Sequence, residues 1–254
     1  MNIAVVTGAS AGMGREMVRQ IDKIYTDGID EIWIIARRVD RLKALSKEIS
    51  HKARILPLDL TEDKDIEELE LSLSLISPNI KLLVNASGYG IMGSFNSSNP
   101  DEQAGMVRLN CEAVVRVTRM CLDYMKKGAR IIQFASAASF LPQPDFAVYA
   151  ATKSFVLSFS RALREELVPR HISVTAVCPG PVDTEFFSIA EKLGSNFNFK
   201  KYFMADASKV VRTALVDAYN RKALSVYSAF MRGFRVLAKI FPHSLILFAL
   251  RFMR

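Results

Sequence analysis

Short, nearly unbroken apolar runs alternate along the chain with longer stretches of helical periodicity, and this alternation restricts the fold more than any other feature. The runs occupy residues 3–7, 31–36, 54–58, 81–85, 130–135, 172–177 and 224–227. The helical patterns start near Met13 and Asp40 and cover about 62–76, 101–127, 149–168 and 206–220. Strands that are apolar at consecutive positions are covered on both faces, as parallel strands are when crossover helices flank them. The expected α/β fold is therefore a doubly wound parallel sheet of about seven strands with helices on both faces. No internal repeat, low-complexity tract or Pro/Gly/Ser linker divides the 254 residues, so residues 1–254 are read as one domain.

Charge distribution narrows the function. The formal net charge is +8, but residues 218–254 hold seven basic residues and no acidic one, which leaves +1 for the first 217. Basicity confined to a tail is not the footprint of a nucleic-acid-binding domain, and no nucleic-acid partner is expected. Cys111, Cys121 and Cys178 form no CxxC pair, and His51, His171 and His243 form no ligand cluster, so neither a disulfide framework nor a metal site is expected. Met1 leads at once into the first apolar run without a basic or cleavable leader, and a cytoplasmic setting is expected.

Thr7-Gly8-Ala9-Ser10-Ala11-Gly12-Met13-Gly14 lies between the first strand and the first helix. There a pyrophosphate can meet unpaired backbone N–H groups, and glycine lets the backbone approach closely. The second strand ends in Ala36-Arg37-Arg38, where an acidic residue would favour the ribose 2′-hydroxyl of NAD. Arginine instead offers a planar fork to a 2′-phosphate, and Arg15 just after the turn would add a second positive group. The cofactor expected is NADP(H). Further along, Tyr149 and Lys153 stand four apart in a helical pattern, so their polar ends can converge. An adjacent ammonium favours phenolate and would lower the tyrosine pKa from about 10 towards working pH, as a general acid/base requires.

With TGASAGMG at 7–14, Asp59 after the third strand, NASG at 85–88, Asn110, Ser136, YAATK at 149–153 and PGPVDT at 179–184, the chain resembles the short-chain dehydrogenases/reductases along nearly its first 230 residues. The resemblance implies a Rossmann-like fold and gives the motifs roles. Tyr149 becomes the proton donor to a carbonyl oxygen and the base for alcohol oxidation, and Ser136 holds that oxygen. Ser139 competes for the serine role, but Ser136 ends the fifth strand and stands thirteen residues before Tyr149, as the family's serine does. Lys153 would also bind the nicotinamide ribose, and Asn110 would support a water linking Lys153 to solvent. Cofactor contacts are expected from Gly8, Ser10, Ala11, Gly12, Met13, Gly14, Arg15, Arg37, Arg38, Asp59, Leu60, Asn85, Ala86, Ser87, Gly88, Tyr149, Lys153, Pro179, Gly180, Val182 and Thr184. One departure stands out: the family's Asn-Asn-Ala-Gly reads Asn85-Ala86-Ser87-Gly88 here. A buried amide is missing, and its bonds must be replaced. A homo-dimer or tetramer through the 101–127 and 149–168 helices is also implied by the resemblance.

Two segments fall outside the motifs. Residues 183–205, with Phe186, Phe187, Phe197, Phe199 and Phe203, follow a strand end without a clean period and are read as a substrate lid. Residues 229–254 form a basic amphipathic extension. Phe230, Phe234, Leu237 and Phe241 fall within about 60° of one another on a helix, with Arg232, Arg235 and Lys239 opposite. Pro242 ends this helix, and 244–253 is a second, mostly apolar segment. Neither reaches the ~20 apolar residues of a membrane span. Either the tail packs over the substrate mouth or a subunit interface, or it lies on an anionic membrane surface. The apolar lid and tail, with Met92, Phe140 and Leu141, point to a hydrophobic carbonyl or alcohol substrate, lipid-, acyl- or steroid-like. A non-catalytic NADP(H)-binding redox sensor, or a membrane-associated interaction protein, is the rival reading. The intact Ser136, Tyr149 and Lys153 set favours the enzyme.

Overall fold

The computed structural model describes residues 1–24, 28–186 and 204–251. Seven parallel strands form one sheet: β1 (Asn2–Thr7), β2 (Glu31–Ile35), β3 (Lys52–Leu56), β4 (Asn79–Asn85), β5 (Arg130–Phe134), β6 (Ser173–Val177) and β7 (Leu224–Ser225). Their order is β3-β2-β1-β4-β5-β6-β7. The chain winds outward from β1 through β3, returns to lay β4 against β1, and winds outward again. The reversal opens a crevice at the carboxyl ends of β1 and β4, where Thr7 and Asn85 are paired.

The helices that cover the sheet are α1 (Gly12–Ile24), α2 (Val39–Ser46), α3 (Asp63–Ile76), α4 (Pro100–Val107), α5 (Ala113–Leu122), α6 (Ala147–Glu166) and α7 (Ala207–Tyr219). Strand residues alternate between two cores. Ile3, Val5, Trp33 and Ile35 pack with Leu69 and Leu73 of α3, Val117 of α5 and Leu163 of α6. Ala4, Val6, Ile32 and Ile34 pack with Met17 and Ile21 of α1, Leu42 and Leu45 of α2, and Val211 and Leu215 of α7. Two-sided burial is the physical source of the unbroken apolar runs.

The helix expected over 101–127 is interrupted. Asn99 caps α4 by accepting from Asp101 N at 2.8 Å, and Pro100 takes the first helical position. A π-helical turn (Arg108–Glu112) then separates α4 from α5. It places Asn110, which is fully buried, over the sheet's carboxyl edge. Of the lid expected over 183–205, residues 187–203 lie outside the described residues. Its two ends are tied together: Asp183 N donates to Ala205 O at 3.1 Å, and Ala205 N donates to Pro181 O at 2.9 Å.

The tail forms α8 (Ala229–Ile240) and, after Pro242, α9 (His243–Arg251). The face of α8 that packs is not the one expected. Met231, Phe234 and Ala238 turn inward, while Leu237 and Phe241 stay about half exposed. Of the anticipated stripe, Phe234 contacts Phe140, with ring centroids 6.4 Å apart, and Phe230 lines the cleft with it. No described helix is long and apolar enough to cross a membrane.

Candidate active site

A cleft of about 1170 Å³ runs along the carboxyl edge of the sheet. Its first half is built on the turn after β1. Gly8 and Gly12 hold φ of +70° and +52°, a backbone region that side chains disfavour. A Cβ on Gly8 would lie 2.7 Å from Ala86 O, and one on Gly14 would lie 2.3 Å from Gly8 O. Glycine is thus what lets the turn close against the loop after β4 and lets α1 start directly beneath it. Gly8, Ser10, Ala11, Gly12, Met13 and Gly14 all line the cleft, with Asp59 and Leu60 after β3 and Ala86, Ser87 and Gly88 after β4.

The Asn85-Ala86-Ser87-Gly88 loop is held by a hydroxyl. Thr7 Oγ1 accepts from Ala86 N at 3.1 Å and Ser87 N at 3.2 Å. Asn85 does not reach the cleft. Its Nδ2 donates to Thr118 Oγ1 at 2.9 Å, anchoring the end of β4 in the core.

Arg37 and Arg38 line the same half of the cleft. Arg38 donates to Ser10 Oγ at 3.2 Å, which lays its guanidinium along the glycine turn. It also pairs with Glu185 at 3.1 Å, and Arg41 shares that carboxylate. The two arginines hold the Glu185 carboxyl below its usual range, Arg41 most strongly. Arg37 reaches Asp59 Oδ2 at 3.3 Å. Burial pushes the Asp59 carboxyl up, but two hydrogen bonds from Thr61 and the Arg37 charge outweigh it and hold the pKa low. Arg15 does not join the group. From the first turn of α1 its side chain points to Glu48, beyond the end of α2, where Arg19 also binds.

The second half of the cleft carries the proton chemistry. Ser136, just past β5, caps a short 3-10 turn (Ala137–Phe140) through Ala138 N at 3.1 Å and lines the cleft. Ser139, its competitor, lines a separate apolar pocket of about 370 Å³ beside α9, and so the serine at the cleft is Ser136. Tyr149 and Lys153 emerge from the first two turns of α6 into the cleft, both nearly buried. The Tyr149 ring stacks on Phe146 at 4.2 Å and tilts against Phe186 at 5.3 Å. A Cβ on Gly90 would collide with both Phe146 and Tyr149 at less than 3 Å, so this glycine makes room for the stacked pair.

The expected depression of the Tyr149 pKa does not appear. Burial raises it to about 12, against the pull of a hydrogen bond with Ser136. Burial lowers Lys153 to about 8. Its Nζ donates to Phe134 O at 2.8 Å and lies 5.7 Å from the centre of the Tyr149 ring, so desolvation of both groups dominates their mutual attraction.

Asn110 lies outside the cleft lining but touches its support. Its Oδ1 accepts from Tyr89 N at 3.1 Å, and its Nδ2 donates to Tyr89 O at 2.9 Å and Thr152 Oγ1 at 3.1 Å. A Cβ on Gly88 would sit 2.9 Å from Asn110 Oδ1 and 3.3 Å from Lys153 Nζ, so Gly88 is the spacer between amide and ammonium. Asn110 thus satisfies backbone at the π turn and faces Lys153 across one glycine.

Pro179, Gly180, Val182 and Thr184 close the cleft from β6. Thr184 faces Gly12 across it, since a Cβ there would be 3.4 Å from the threonine's Cβ. Residues 184–186 therefore touch the glycine turn, the arginines and Tyr149 in succession. Sequence reasoning missed Tyr227, Ser228 and Met231, which line the cleft from the start of the tail, and it missed Gly90 and Glu185. Met92 lines the cleft as expected, but Phe140 and Leu141 do not; Leu141 belongs to the smaller pocket. Among the described residues no cluster of His, Cys, Asp or Glu could hold a metal ion.

Residues 2–192 match the model of the short chain dehydrogenase family. The NADP-dependent 3-hydroxy acid dehydrogenase YdfG of Shigella flexneri is 33% identical over 198 residues, 75% of this chain and 77% of that protein. Human 17-beta-hydroxysteroid dehydrogenase type 3 is 29% identical over 189 residues, 71% of this chain and 59% of the human protein. Among solved structures, a short-chain dehydrogenase from Sphingobium yanoikuyae in complex with NADPH superposes with a TM-score of 0.76. It is 24% identical, covering 95% of this chain and 97% of the other. The chain belongs to the short-chain dehydrogenase/reductase family and is an oxidoreductase with a Rossmann-like sheet.

Proposed function

We propose that the protein uses NADP(H) to interconvert a ketone and a secondary alcohol on a hydrophobic substrate, with Tyr149 as general acid/base. The observation that carries this reading is the convergence, at one end of a single cleft, of the Ser136 and Tyr149 hydroxyls with the Lys153 ammonium beneath them. The glycine turn occupies the other end.

The residues fit a dinucleotide. The turn's backbone N–H groups and the start of α1 suit a pyrophosphate. Arg37, Arg38 and Arg41 suit a 2′-phosphate, with no acidic residue on β2's last turn to prefer a free hydroxyl. Bound there, a nicotinamide supplies or accepts the hydride.

The protein's part is orientation and the proton. A substrate oxygen held between Ser136 and Tyr149 receives the phenolic proton as negative charge builds on it. The Tyr149 pKa of about 12 keeps that proton in place until then. The phenolate left behind is stabilised by Lys153, whose pKa of about 8 leaves it mostly charged at neutral pH. Phe146, Phe186 and Met92 make the wall beside Tyr149 apolar, which supports a lipid-like substrate over a sugar.

The test is a panel of aliphatic, acyl and steroid ketones with NADPH and NADH. Tyr149→Phe keeps the ring stacked on Phe146 and removes only the phenolic hydroxyl, and with it the proton, so kcat should fall by about 10²–10⁴-fold with NADPH affinity retained. Equal turnover in the variant, or NADPH binding without turnover of any ketone or alcohol, would overturn the reading.

A further inference from the structure

The residues of α8 divide into three arcs at about 100° per residue. Met231, Phe234 and Ala238 face the body of the protein, with Met231 against Gly180 and Phe234 against Phe140. Arg232, Arg235 and Lys239 form the next arc, and none of them makes an ion pair among the described residues. Val236, Leu237 and Ile240 complete the turn on the outer side. They are 53%, 54% and 67% exposed, and Phe241 and Leu245 continue the apolar surface past Pro242. Single exposed apolar residues need no partner, but five of them on successive turns of a helix–proline–helix unit do.

We propose that this outer face docks on an anionic lipid membrane, with α8 lying in the plane of the interface. An apolar arc bordered by unpaired cations complements a negatively charged headgroup layer, where acyl chains receive the former and headgroups the latter. Arg232, Arg235 and Lys239 carry that complementarity, in a stretch, residues 218–254, that holds no acidic residue. A second copy of the chain would instead oppose two positive faces. At twelve residues α8 is about 18 Å long, too short to span a bilayer and suited to lying along one.

The opposite side of the same helix lines the cleft through Met231 and Phe234. Docking would therefore hold the cleft about one helix diameter, ~10 Å, from the interface in which a lipid-like ketone is concentrated. That consequence rests on the proposed substrate class; the docking surface does not.

The test uses the full chain in co-sedimentation with phosphatidylcholine vesicles, with and without phosphatidylserine, at about 50 mM and about 500 mM salt. Binding should require phosphatidylserine and weaken at high salt. Leu237→Glu/Ile240→Glu and Arg232→Glu/Lys239→Glu should each lower the partition at least about tenfold, because one loses apolar burial and the other inverts the charge. All four residues lie outside the cleft, so NADPH affinity and thermal midpoint should be unchanged.

Absence of phosphatidylserine-dependent binding, equal binding to neutral vesicles, or binding indifferent to both variants would overturn the proposal. So would a wild-type dimer that ignores vesicles and becomes monomeric in Leu237→Glu/Ile240→Glu, which would assign the face to a second copy. Vesicle binding by a protein that turns over no carbonyl or alcohol substrate would leave this surface standing and remove the proposed reaction.

Discussion

Glu185 sits where the proposed 2′-phosphate would be recognised, so replacing it by glutamine tests how the arginines are used. Its carboxylate joins Arg38 at 3.1 Å and Arg41 at 2.5 Å. All three side chains are between a third and a half exposed, so each pair contributes only about 0.2–1 kcal/mol. A 2′-phosphate that claims both guanidiniums must displace the carboxylate or share them with it, at a cost of about 0.4–2 kcal/mol. Glu185→Gln removes that competition, and NADPH should bind about 2–30-fold more tightly. NADH carries no 2′-phosphate, and its Kd should stay within about twofold. Fluorescence titration with both cofactors reads the ratio directly, and the gain should shrink at high salt because the groups are solvated. Equal shifts for the two cofactors, or weaker NADPH binding, would refute the reasoning and place the phosphate elsewhere.

Two further outcomes follow from buried polar groups. Lys153 holds its proton less tightly in the fold, at about 8, than in the unfolded chain, at 10.5. It therefore penalises the fold below pH 8, and the penalty fades as pH rises towards 10.5. The penalty is at most ~3 kcal/mol, and the bond to Phe134 O offsets about 1 kcal/mol of it. Lys153→Met should be more stable than wild type at pH 7, lose that advantage by pH 10.5, and be inactive. Urea melts at the two pH values check this, and a pH-independent difference would contradict the burial argument. Thr7→Val removes the one acceptor shared by Ala86 N and Ser87 N while keeping the side chain's shape. The variant should lose about 1–3 kcal/mol in urea and bind NADPH more weakly, because the loose loop lines the cleft. Unchanged midpoint and affinity would mean that the Thr7 hydroxyl does not hold the loop.

The sheet was legible because burial on both faces writes each strand as an apolar run, and the runs at 31–36, 81–85 and 130–135 differ from β2, β4 and β5 only at their ends. The pairing of Tyr149 with Lys153 was legible because one helix fixes their spacing, and Ser136 was legible only through the family resemblance, which places a serine thirteen residues before the tyrosine. The misses share a cause: each depends on a residue distant in sequence. Arg15 looked like a phosphate ligand from its place after the turn, but Glu48, thirty-three residues on, claims it. Gly90 is required by rings of Phe146 and Tyr149, and no local pattern marks it. The i,i+4 spacing of Tyr149 and Lys153 reported proximity correctly. It carried no information about desolvation, which sets both pKa values.

The tail shows the same limit in a form that bears on function. A hydrophobic stripe in a sequence says that a helix has an apolar side; it does not say which part of that side meets the protein. In α8 the contact is made by Met231, Phe234 and Ala238, about 60° round from the stripe's centre by helical geometry. The rotation leaves apolar side chains on the outside, beside cations that find no acid among the described residues. Had α8 turned Leu237 and Phe241 inward beside Phe230 and Phe234, packing over the cleft would have accounted for the whole extension. Because it does not, the helix has apolar surface on two sides, one at the cleft and one facing outward. A second apolar medium on the outward side is what the membrane proposal supplies.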